Sequence, residues 1–211
     1  MNDAIHRGGP VVAAGVPLDQ ARGVVLMIHG RGASAESILT LAPELEMAGL
    51  AFLAPQARTG SWYPYSFLVP IAQNEPYLSS ALGALGDLVA QVEATGVPAE
   101  RIALLGFSQG ACLASEFVAR NARRYGGLIA LSGGLIGPPG TPRDYPGSLA
   151  GTPVFLGCSD VDSHIPRERV LETEDVLRRM GATVTAKLYP GMGHTVNQDE
   201  ITHARAILAG L

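Results

Sequence analysis

The chain has 211 residues, of which 47% are hydrophobic and 16% are charged, so it can bury a full core and is not an intrinsically disordered protein. Its formal net charge of −4 argues against nucleic-acid binding. Two cysteines, a start without an apolar leader and the lack of a long apolar run indicate a cytoplasmic protein with reduced thiols and no membrane span.

The first part of the chain alternates between predicted strands and helices. Val11 to Ala14 predicts an edge strand, and the apolar run Val24 to Ile28 predicts a parallel strand covered on both faces. Ser34 can cap a helix that runs to about Leu41 and that Pro43 interrupts or restarts. Ala51 to Ala54 is the next predicted buried strand.

Residues 56–75 have no helical period and are rich in aromatic residues and proline. A loop of that length inside a folded domain is more often functional than idle. Trp62, Phe67 and Leu68 are therefore predicted to bind substrate, because an acyl group needs apolar walls. The alternative is that these side chains belong to the core.

A long amphipathic helix follows this loop. Asn74-Glu75-Pro76 predicts its start, with proline at the first helical position. Its predicted inner face has apolar residues at alternating spacings of four and three, namely Leu78, Leu82, Leu85, Val89 and Val92. Gly96-Val97-Pro98 ends it.

The next stretch has the strand, sharp turn and helix pattern of a nucleophile elbow. A predicted strand, Arg101 to Leu105, is followed by Gly106-Phe107-Ser108-Gln109-Gly110 and by a helix that begins at Ala111. The turn forces Ser108 into strained backbone angles, so small residues are needed two positions away on each side. Ser132 is a near-match, but glycines rather than a helix follow it, which indicates a loop serine.

The alternation of strands and helices continues to the end of the chain. It predicts an α/β fold with a doubly wound, mostly parallel sheet, helices on both faces, and one domain over residues 1–211. The remaining predicted elements are strands at Leu128–Leu131, Pro153–Gly157 and Val184–Leu188, an irregular connection over 133–151, a helix from Pro166 to Gly181, and a terminal helix with a capping box of Asn197 and Glu200.

A serine hydroxyl needs an adjacent general base, and functional groups gather at the carboxyl ends of parallel strands. His29 and His194 directly follow strands, whereas His203 lies in the terminal helix and His6 near the start. His164 follows a strand but lies only two residues from the best acid. His194 is the predicted base, because it gives the chain order Ser, Asp, His of α/β-hydrolases.

Two aspartates compete for the role of the acid that orients the base. Asp160 and Asp162 both lie in the segment after the strand Pro153–Gly157, and both could merely cap turns. Asp162 is the preferred candidate, and Asp160 is the alternative.

An oxyanion hole needs two backbone amides that point at the reacting carbonyl. His29-Gly30-Arg31-Gly32 closes the first long strand, and its glycines allow an amide to turn into the site. The predicted donors are the backbone N–H groups of Arg31 and Gln109. The alternative is a simple glycine-rich turn. Cys112 is predicted to be a small buried hydrophobic residue rather than a reactive thiol.

Four ordered motifs, HGRGA, GFSQG, SDVDSHIP and GMGH, resemble the phospholipase/carboxylesterase family of α/β-hydrolases. That family includes small bacterial carboxylesterases and acyl-protein thioesterases, and the resemblance runs from about Val24 to the C-terminus. It implies an acid at Asp162, oxyanion donors at Arg31 and Gln109, and hydrolysis of esters or thioesters without metal or organic cofactor. Arg31 stands where the thioesterases usually have an apolar residue, and the Trp62–Phe67 segment resembles the bacterial esterase branch.

The resulting functional prediction is a serine carboxylesterase that hydrolyses short-chain esters through an acyl-enzyme, with Ser108, Asp162 and His194 as its triad. No helical insertion follows Leu131, so no large cap domain is expected. The alternatives are an acyl-thioesterase or lysophospholipase, a dienelactone-type hydrolase, which usually has a cysteine nucleophile, and a non-catalytic binding module, against which the intact triad argues. The expected partner is a small-molecule ester. The oligomeric state stays open, a homodimer included.

Overall fold

The computed structural model of the protein describes residues 5–45 and 47–211, and a seven-stranded sheet lies at its centre. The strand order is β1-β3-β2-β4-β5-β6-β7, with β1 antiparallel to its neighbour and every other pair parallel. The predicted doubly wound, mostly parallel sheet is confirmed. The strands are β1 (Val11–Gly15), β2 (Gly23–Ile28), β3 (Leu50–Pro55), β4 (Ile102–Phe107), β5 (Gly127–Leu131), β6 (Pro153–Ser159) and β7 (Thr183–Tyr189).

Helices cover both faces of the sheet. Strand β2 shows why, because Val24, Leu26 and Ile28 pack into one apolar layer while Val25 and Met27 pack into the other, and all five are fully buried. A strand buried on both faces reads as a continuous apolar run, as this one does. Within the described residues, no helix is long and apolar enough to cross a membrane. The helices are α1 (Ala35–Leu39), α2 (Ala42–Leu45), α3 (Tyr77–Glu93), α4 (Gln109–Arg120), α5 (Arg167–Arg179) and α6 (Gln198–Leu208).

Most helix boundaries follow the local signals, with two corrections. Ser34 and Asn197 form the expected capping boxes of α1 and α6. Pro43 lies in the first turn of a separate short helix, α2, which is one of its two predicted roles. Pro76 caps α3 from outside instead of occupying its first turn. Helix α4 begins at Gln109, two residues before the predicted start, because the elbow turns directly into the helix.

The strand register brings the carboxyl ends of the central strands to one edge. Gly106 of β4 pairs with Ile28 of β2 on one side and with Ala130 of β5 on the other. The residues that follow these strands therefore emerge side by side, and those after β6 and β7 emerge next to them. Within the described chain, residues 132–152 contain no helix or strand, so no cap domain covers this edge.

Candidate active site

Ser108 occupies a strained turn between β4 and α4. Its backbone has φ 55° and ψ −120°, values that a non-glycine residue rarely adopts. A Cβ atom at Gly106 would lie 2.4 Å from the backbone of Gly110, and one at Gly110 would lie 2.1 Å from the carbonyl oxygen of Ile28. The flanking glycines are therefore required by backbone contacts.

The side chains of Ser108, His194 and Asp162 form one hydrogen-bonded chain. His194 Nε2 lies 2.9 Å from Ser108 Oγ, and His194 Nδ1 lies 2.7 Å from Asp162 Oδ2. The tautomer that satisfies both contacts donates from Nδ1 to the carboxylate and accepts the serine proton at Nε2. This geometry suits proton transfer from the serine.

Asp162 is held as a buried carboxylate. Its Oδ1 accepts the backbone N–H groups of His164 at 2.8 Å and Ile165 at 3.1 Å. Burial by itself would raise the pKa of Asp162, but the hydrogen bond from His194, the two amides and the charge of His194 outweigh it and lower that pKa below the ordinary value. The residue therefore stays ionised beside the imidazole.

Asp160 has a different position, although it lies only two residues away. Its Oδ1 accepts the backbone N–H of Gly191 at 2.8 Å, and its own N–H donates to Tyr189 at 3.1 Å. The neighbouring Ser159 Oγ accepts the N–H of Gly193 at 3.2 Å. These bonds connect the segment after β6 to the loop that carries His194, so Asp160 contacts that loop rather than the imidazole ring.

Two aromatic rings fix the His194 ring. The ring of Phe107 lies 4.9 Å from it at an interplanar angle of 39°, and the ring of His164 lies 4.7 Å away, edge-on. The sequence offers His164 only as an alternative base, for which His194 is preferred. Its position between the acid and the proline that precedes α5 is the signal that places it at this edge.

The predicted oxyanion donors, the backbone N–H groups of Arg31 and Gln109, border the same cavity as Ser108. Neither amide donates to an acceptor within residues 5–45 or 47–211. The loop after β2 approaches closely, because a Cβ at Gly30 would lie 3.3 Å from Ser108 Cβ. Two unbonded amides beside a nucleophile can stabilise a developing oxyanion.

The other histidines after or near strands have structural roles. His29 is fully buried, accepts the N–H of Ala57 at 3.1 Å and contacts the carbonyl of Gly30 at 2.8 Å. Burial lowers its pKa, with the Gly30 contact opposing the shift. His6 is also buried and bonds the carbonyl of Trp62 at 2.9 Å. His203 stacks on Phe155 with ring centroids 4.7 Å apart.

A cavity of about 680 Å³, called the large cleft below, opens over Ser108. Of the three residues predicted to bind substrate, Phe67 lines the large cleft, whereas Trp62 and Leu68 do not. The Trp62 side chain is fully buried and its indole N–H donates to His29 O at 2.9 Å, while Leu68 packs against the core. The lining residues are Gly30, Arg31, Ala33, Tyr63, Pro64, Tyr65, Ser66, Phe67, Phe107, Ser108, Gln109, Cys112, His164, Ile165 and His194.

The side chains of the two predicted oxyanion donors, Gln109 and Arg31, also bond the segment that forms the aromatic wall of the large cleft. Gln109 Oε1 accepts the N–H of Trp62 at 2.9 Å, and its Nε2 donates to the carbonyl of Tyr63 at 2.9 Å. The Arg31 guanidinium donates to the carbonyls of Pro64 at 2.8 Å and Tyr65 at 2.6 Å. Sequence reasoning missed both contacts, which join residues more than thirty positions apart.

The described residues contain no group of three or more His, Cys, Asp or Glu side chains that could hold a metal ion. Cys112 and Cys158 are buried free cysteines. Burial raises the pKa of Cys112 to about 12, so the thiol that borders the large cleft stays protonated near neutral pH. A thiolate nucleophile is therefore disfavoured at this position.

Comparison with known proteins gives one consistent family. A sequence model of the family described as Phospholipase/Carboxylesterase matches residues 10–210. The crystal structure of a phospholipase/carboxylesterase from Dyadobacter fermentans is 44% identical and matches with a TM-score of 0.93, covering 99% of this chain and 100% of that one. A probable carboxylesterase from Oryza sativa is 30% identical over 199 residues, 85% of this chain and 74% of the rice protein.

A further relative carries a different activity in its name. Acyl-protein thioesterase 1 from Neurospora crassa is 33% identical over 132 residues, which cover 61% of this chain. The match spans about half of the fungal protein, 54% of its length.

Proposed function

The chain belongs to the phospholipase/carboxylesterase family, and from that premise we propose that it is a serine carboxylesterase that hydrolyses short-chain esters through an acyl-enzyme. The observation that carries the proposal is the hydrogen-bonded chain from Ser108 through His194 to Asp162, with contacts of 2.9 and 2.7 Å. Two unbonded amides beside the serine complete the set of groups that acyl transfer requires.

In the proposed mechanism, Ser108 Oγ attacks the ester carbonyl while His194 Nε2 takes the serine proton. Asp162 stabilises the imidazolium that forms, and the amides of Arg31 and Gln109 bind the oxyanion. The C–O bond to the alcohol then breaks, and His194 returns the proton to the leaving alkoxide. Water attacks the acyl-enzyme by the same route, releasing the acid and restoring Ser108.

The preference for short acyl groups follows from what surrounds the site. Residues 132–152 add no helix over the sheet edge, so this connection supplies no apolar lid to cover a long chain. Rates should therefore be highest for acetyl or butyryl p-nitrophenyl esters and fall for long ones. A preference for the palmitoyl ester would contradict this part of the proposal.

A thioesterase is the second candidate, because a relative from Neurospora crassa carries that name and the same serine attack cleaves thioesters. The two readings are separated by kcat/KM for an ester and a thioester with the same butyryl group. Each kcat/KM is divided by the rate of uncatalysed hydrolysis of the same compound. For a carboxylesterase, this normalised value should be higher for the ester than for the thioester.

The direct test replaces Ser108 with alanine. We expect Ser108→Ala to lower the turnover of p-nitrophenyl acetate by about three or more orders of magnitude while its melting curve stays close to that of the wild type. Ser132→Ala is the matched control, because Ser132 is also buried and its sequence resembles the elbow. This variant should keep the turnover of the wild type. A Ser108→Ala protein with more than about a tenth of wild-type turnover would refute the assignment.

A further inference from the structure

The large cleft has a smaller neighbour on the other side of His194. This small cleft has a volume of about 490 Å³ and shares Gly30, Ala33, Phe107 and His194 with the large cleft. Its own residues are His29, Ser37, Ile38, Thr40, Leu41, Thr195 and Val196. None of these seven carries a permanent charge, so the small cleft suits an uncharged part of a substrate.

The large cleft differs in its charge. No aspartate or glutamate is among the residues that line it, whereas Arg31 is. The chain as a whole has a formal net charge of −4, so the sign inside the cleft is opposite to that of the protein. A cleft with one sign of charge concentrates ligands of the other sign.

The Arg31 guanidinium is the permanent cation of the large cleft, and it is held in place. It donates to Ser61 Oγ at 3.2 Å and to the carbonyls of Pro64 and Tyr65, and it lies 5.8 Å from the centre of the Tyr63 ring. These bonds use three of the five N–H groups of a guanidinium. Among the described residues, no carboxylate pairs with Arg31.

His164 offers a second fixed polar group in the large cleft. Its backbone N–H is bound by Asp162, and its ring rests edge-on against His194. The ring nitrogens make no hydrogen bond to another residue in the part of the chain that the structure describes. A neutral imidazole still carries one N–H donor, which can bind an anionic oxygen.

Resting on the proposed esterase function, we propose that Arg31 and His164 bind a carboxylate carried by the substrate. The substrate is then an ester with a free carboxylate, either a half-ester of a dicarboxylic acid or an acyl ester of a hydroxy acid. Arg31 suits this role because its remaining N–H groups match a carboxylate and its position is set before binding. Asp162 does not line the large cleft, because its carboxylate is buried and bonded to His194, so it makes no direct contact with an anion bound there.

The test compares anionic esters with neutral esters of the same shape. Monomethyl glutarate and methyl glutaramate place the carboxylate, or the amide that replaces it, in the acyl half. 3-Acetoxypropanoate and 3-acetoxypropanamide place it in the alcohol half. The wild type should have a kcat/KM about tenfold higher for the anionic member of one pair, and this preference should shrink with added salt.

Three variants assign the preference to residues. Arg31→Met and His164→Gln should each reduce the ratio of anionic to neutral kcat/KM several-fold toward one, and the ratio is used because both variants can also change the absolute rate. Arg167→Met is the matched control, because Arg167 is exposed, close in sequence and absent from the cleft. Its ratio should stay at the wild-type value.

The outcomes separate this inference from the proposed function. Ratios near one for both pairs in a wild type that turns over methyl butyrate overturn carboxylate recognition and leave the esterase intact. A preference that survives both Arg31→Met and His164→Gln also overturns it. If the wild type hydrolyses none of these esters and no p-nitrophenyl acetate, the esterase proposal fails as well.

Discussion

Two regions meet at Ser108 and are built by different means. The reactive edge, defined as the residues after β4, β6 and β7 that carry Ser108, Asp162 and His194, is fixed mainly by backbone contacts at strand ends. The aromatic loop, residues 61–74, is fixed mainly by side chains that reach it from other segments, such as Gln109 and Arg31.

The difference separates reactivity from recognition. At the reactive edge, small changes clash with backbone or break the hydrogen-bonded chain, so they should affect the rate or the fold strongly. At the aromatic loop, each side-chain contact is one of several, so single changes should affect substrate binding and local stability more gently.

The largest effect is expected from a change at Asp162, the proposed acid of the reactive edge. Asp162→Asn keeps the size of the side chain but removes its charge and can stabilise the wrong tautomer of His194. We expect kcat to fall by about three to four orders of magnitude with little change in the melting curve.

Asp160→Asn is the matched control for the acid, because Asp160 bonds the N–H of Gly191 rather than His194. An asparagine oxygen can accept that bond, so the loss in kcat should be far smaller. Steady-state kinetics of both variants at one pH decide the point. If Asp160→Asn is folded and loses more kcat than Asp162→Asn, the acid is Asp160 and its assignment to Asp162 is wrong.

The next effect tests the backbone contacts of the reactive edge. Gly110→Ala places a Cβ 2.1 Å from the carbonyl oxygen of Ile28, which cannot move without disturbing β2. We expect at least about 3 kcal/mol of lost stability, or no folded protein, by urea unfolding. Gly86→Ala in α3 is the control: its Cβ meets only the Phe117 ring at 3.7 Å, so about 0.5–1 kcal/mol should be gained. Equal stability of the two variants would contradict the steric account.

A smaller, pH-dependent effect is expected from Glu200, a residue of α6 that packs against Gly157 of β6. Burial raises the pKa of Glu200 to about 7, because its Oε1 lies against Gly157 without a hydrogen-bond partner. The folded state thus holds this proton more tightly than the unfolded chain. Because the pKa is raised in the folded state, the free energy of unfolding falls as pH rises from about 4.5 to 7, and the full loss is present above pH 7.

Glu200→Gln removes that charge and should be more stable than the wild type by about 2 kcal/mol at pH 8, with the gap closing near pH 4. The glutamine oxygen can still accept the N–H of Asn197, which the wild-type carboxylate binds at 2.9 Å. Urea unfolding of both proteins across this pH range measures the difference. A gap that is independent of pH would show that Glu200 does not titrate with folding.

The smallest effect on the catalytic rate is expected from a change at the aromatic loop. Gln109→Leu leaves the backbone N–H of residue 109 in place but removes the bonds to Trp62 and Tyr63. We expect kcat/KM to fall about tenfold, mostly through KM, with about 1–3 kcal/mol of lost stability. Gln73→Leu, at an exposed position of the same loop, is the control and should change neither value. A loss confined to kcat would instead point to the oxyanion donor.

The same contrast explains what could be predicted from the sequence. The elbow could be predicted because the turn at Ser108 leaves no room for a side chain at Gly106 or Gly110. The buried strands could be predicted because both faces of a strand such as β2 are apolar. Residues alone left Asp160 and Asp162 open, since both follow β6 at nearly the same distance. The structure separates them by the loop contacts of Asp160 and the burial of Asp162.

The sequence indicated that the aromatic loop is functional, but it did not show which of its side chains line the large cleft. Trp62 was expected to bind substrate, yet the bond from its indole to His29 turns it into the core and leaves the cleft wall to Tyr63 and Tyr65. The bond from Gln109 joins positions 47 residues apart, and no periodic pattern reports such a contact. His164 was set aside as a base, and only its placement beside His194 shows its access to the large cleft.

The central claim, that Ser108 is the nucleophile activated by His194 and Asp162, is tested most directly by covalent trapping. A fluorophosphonate ester reacts with an activated serine, forming a P–O bond as fluoride leaves, and mass spectrometry of the digested protein locates the adduct. The account predicts about one adduct per chain on the peptide that carries Ser108, much slower labelling of Asp162→Asn and none of Ser108→Ala. An adduct on another serine such as Ser132, or unchanged labelling of Asp162→Asn, would contradict it.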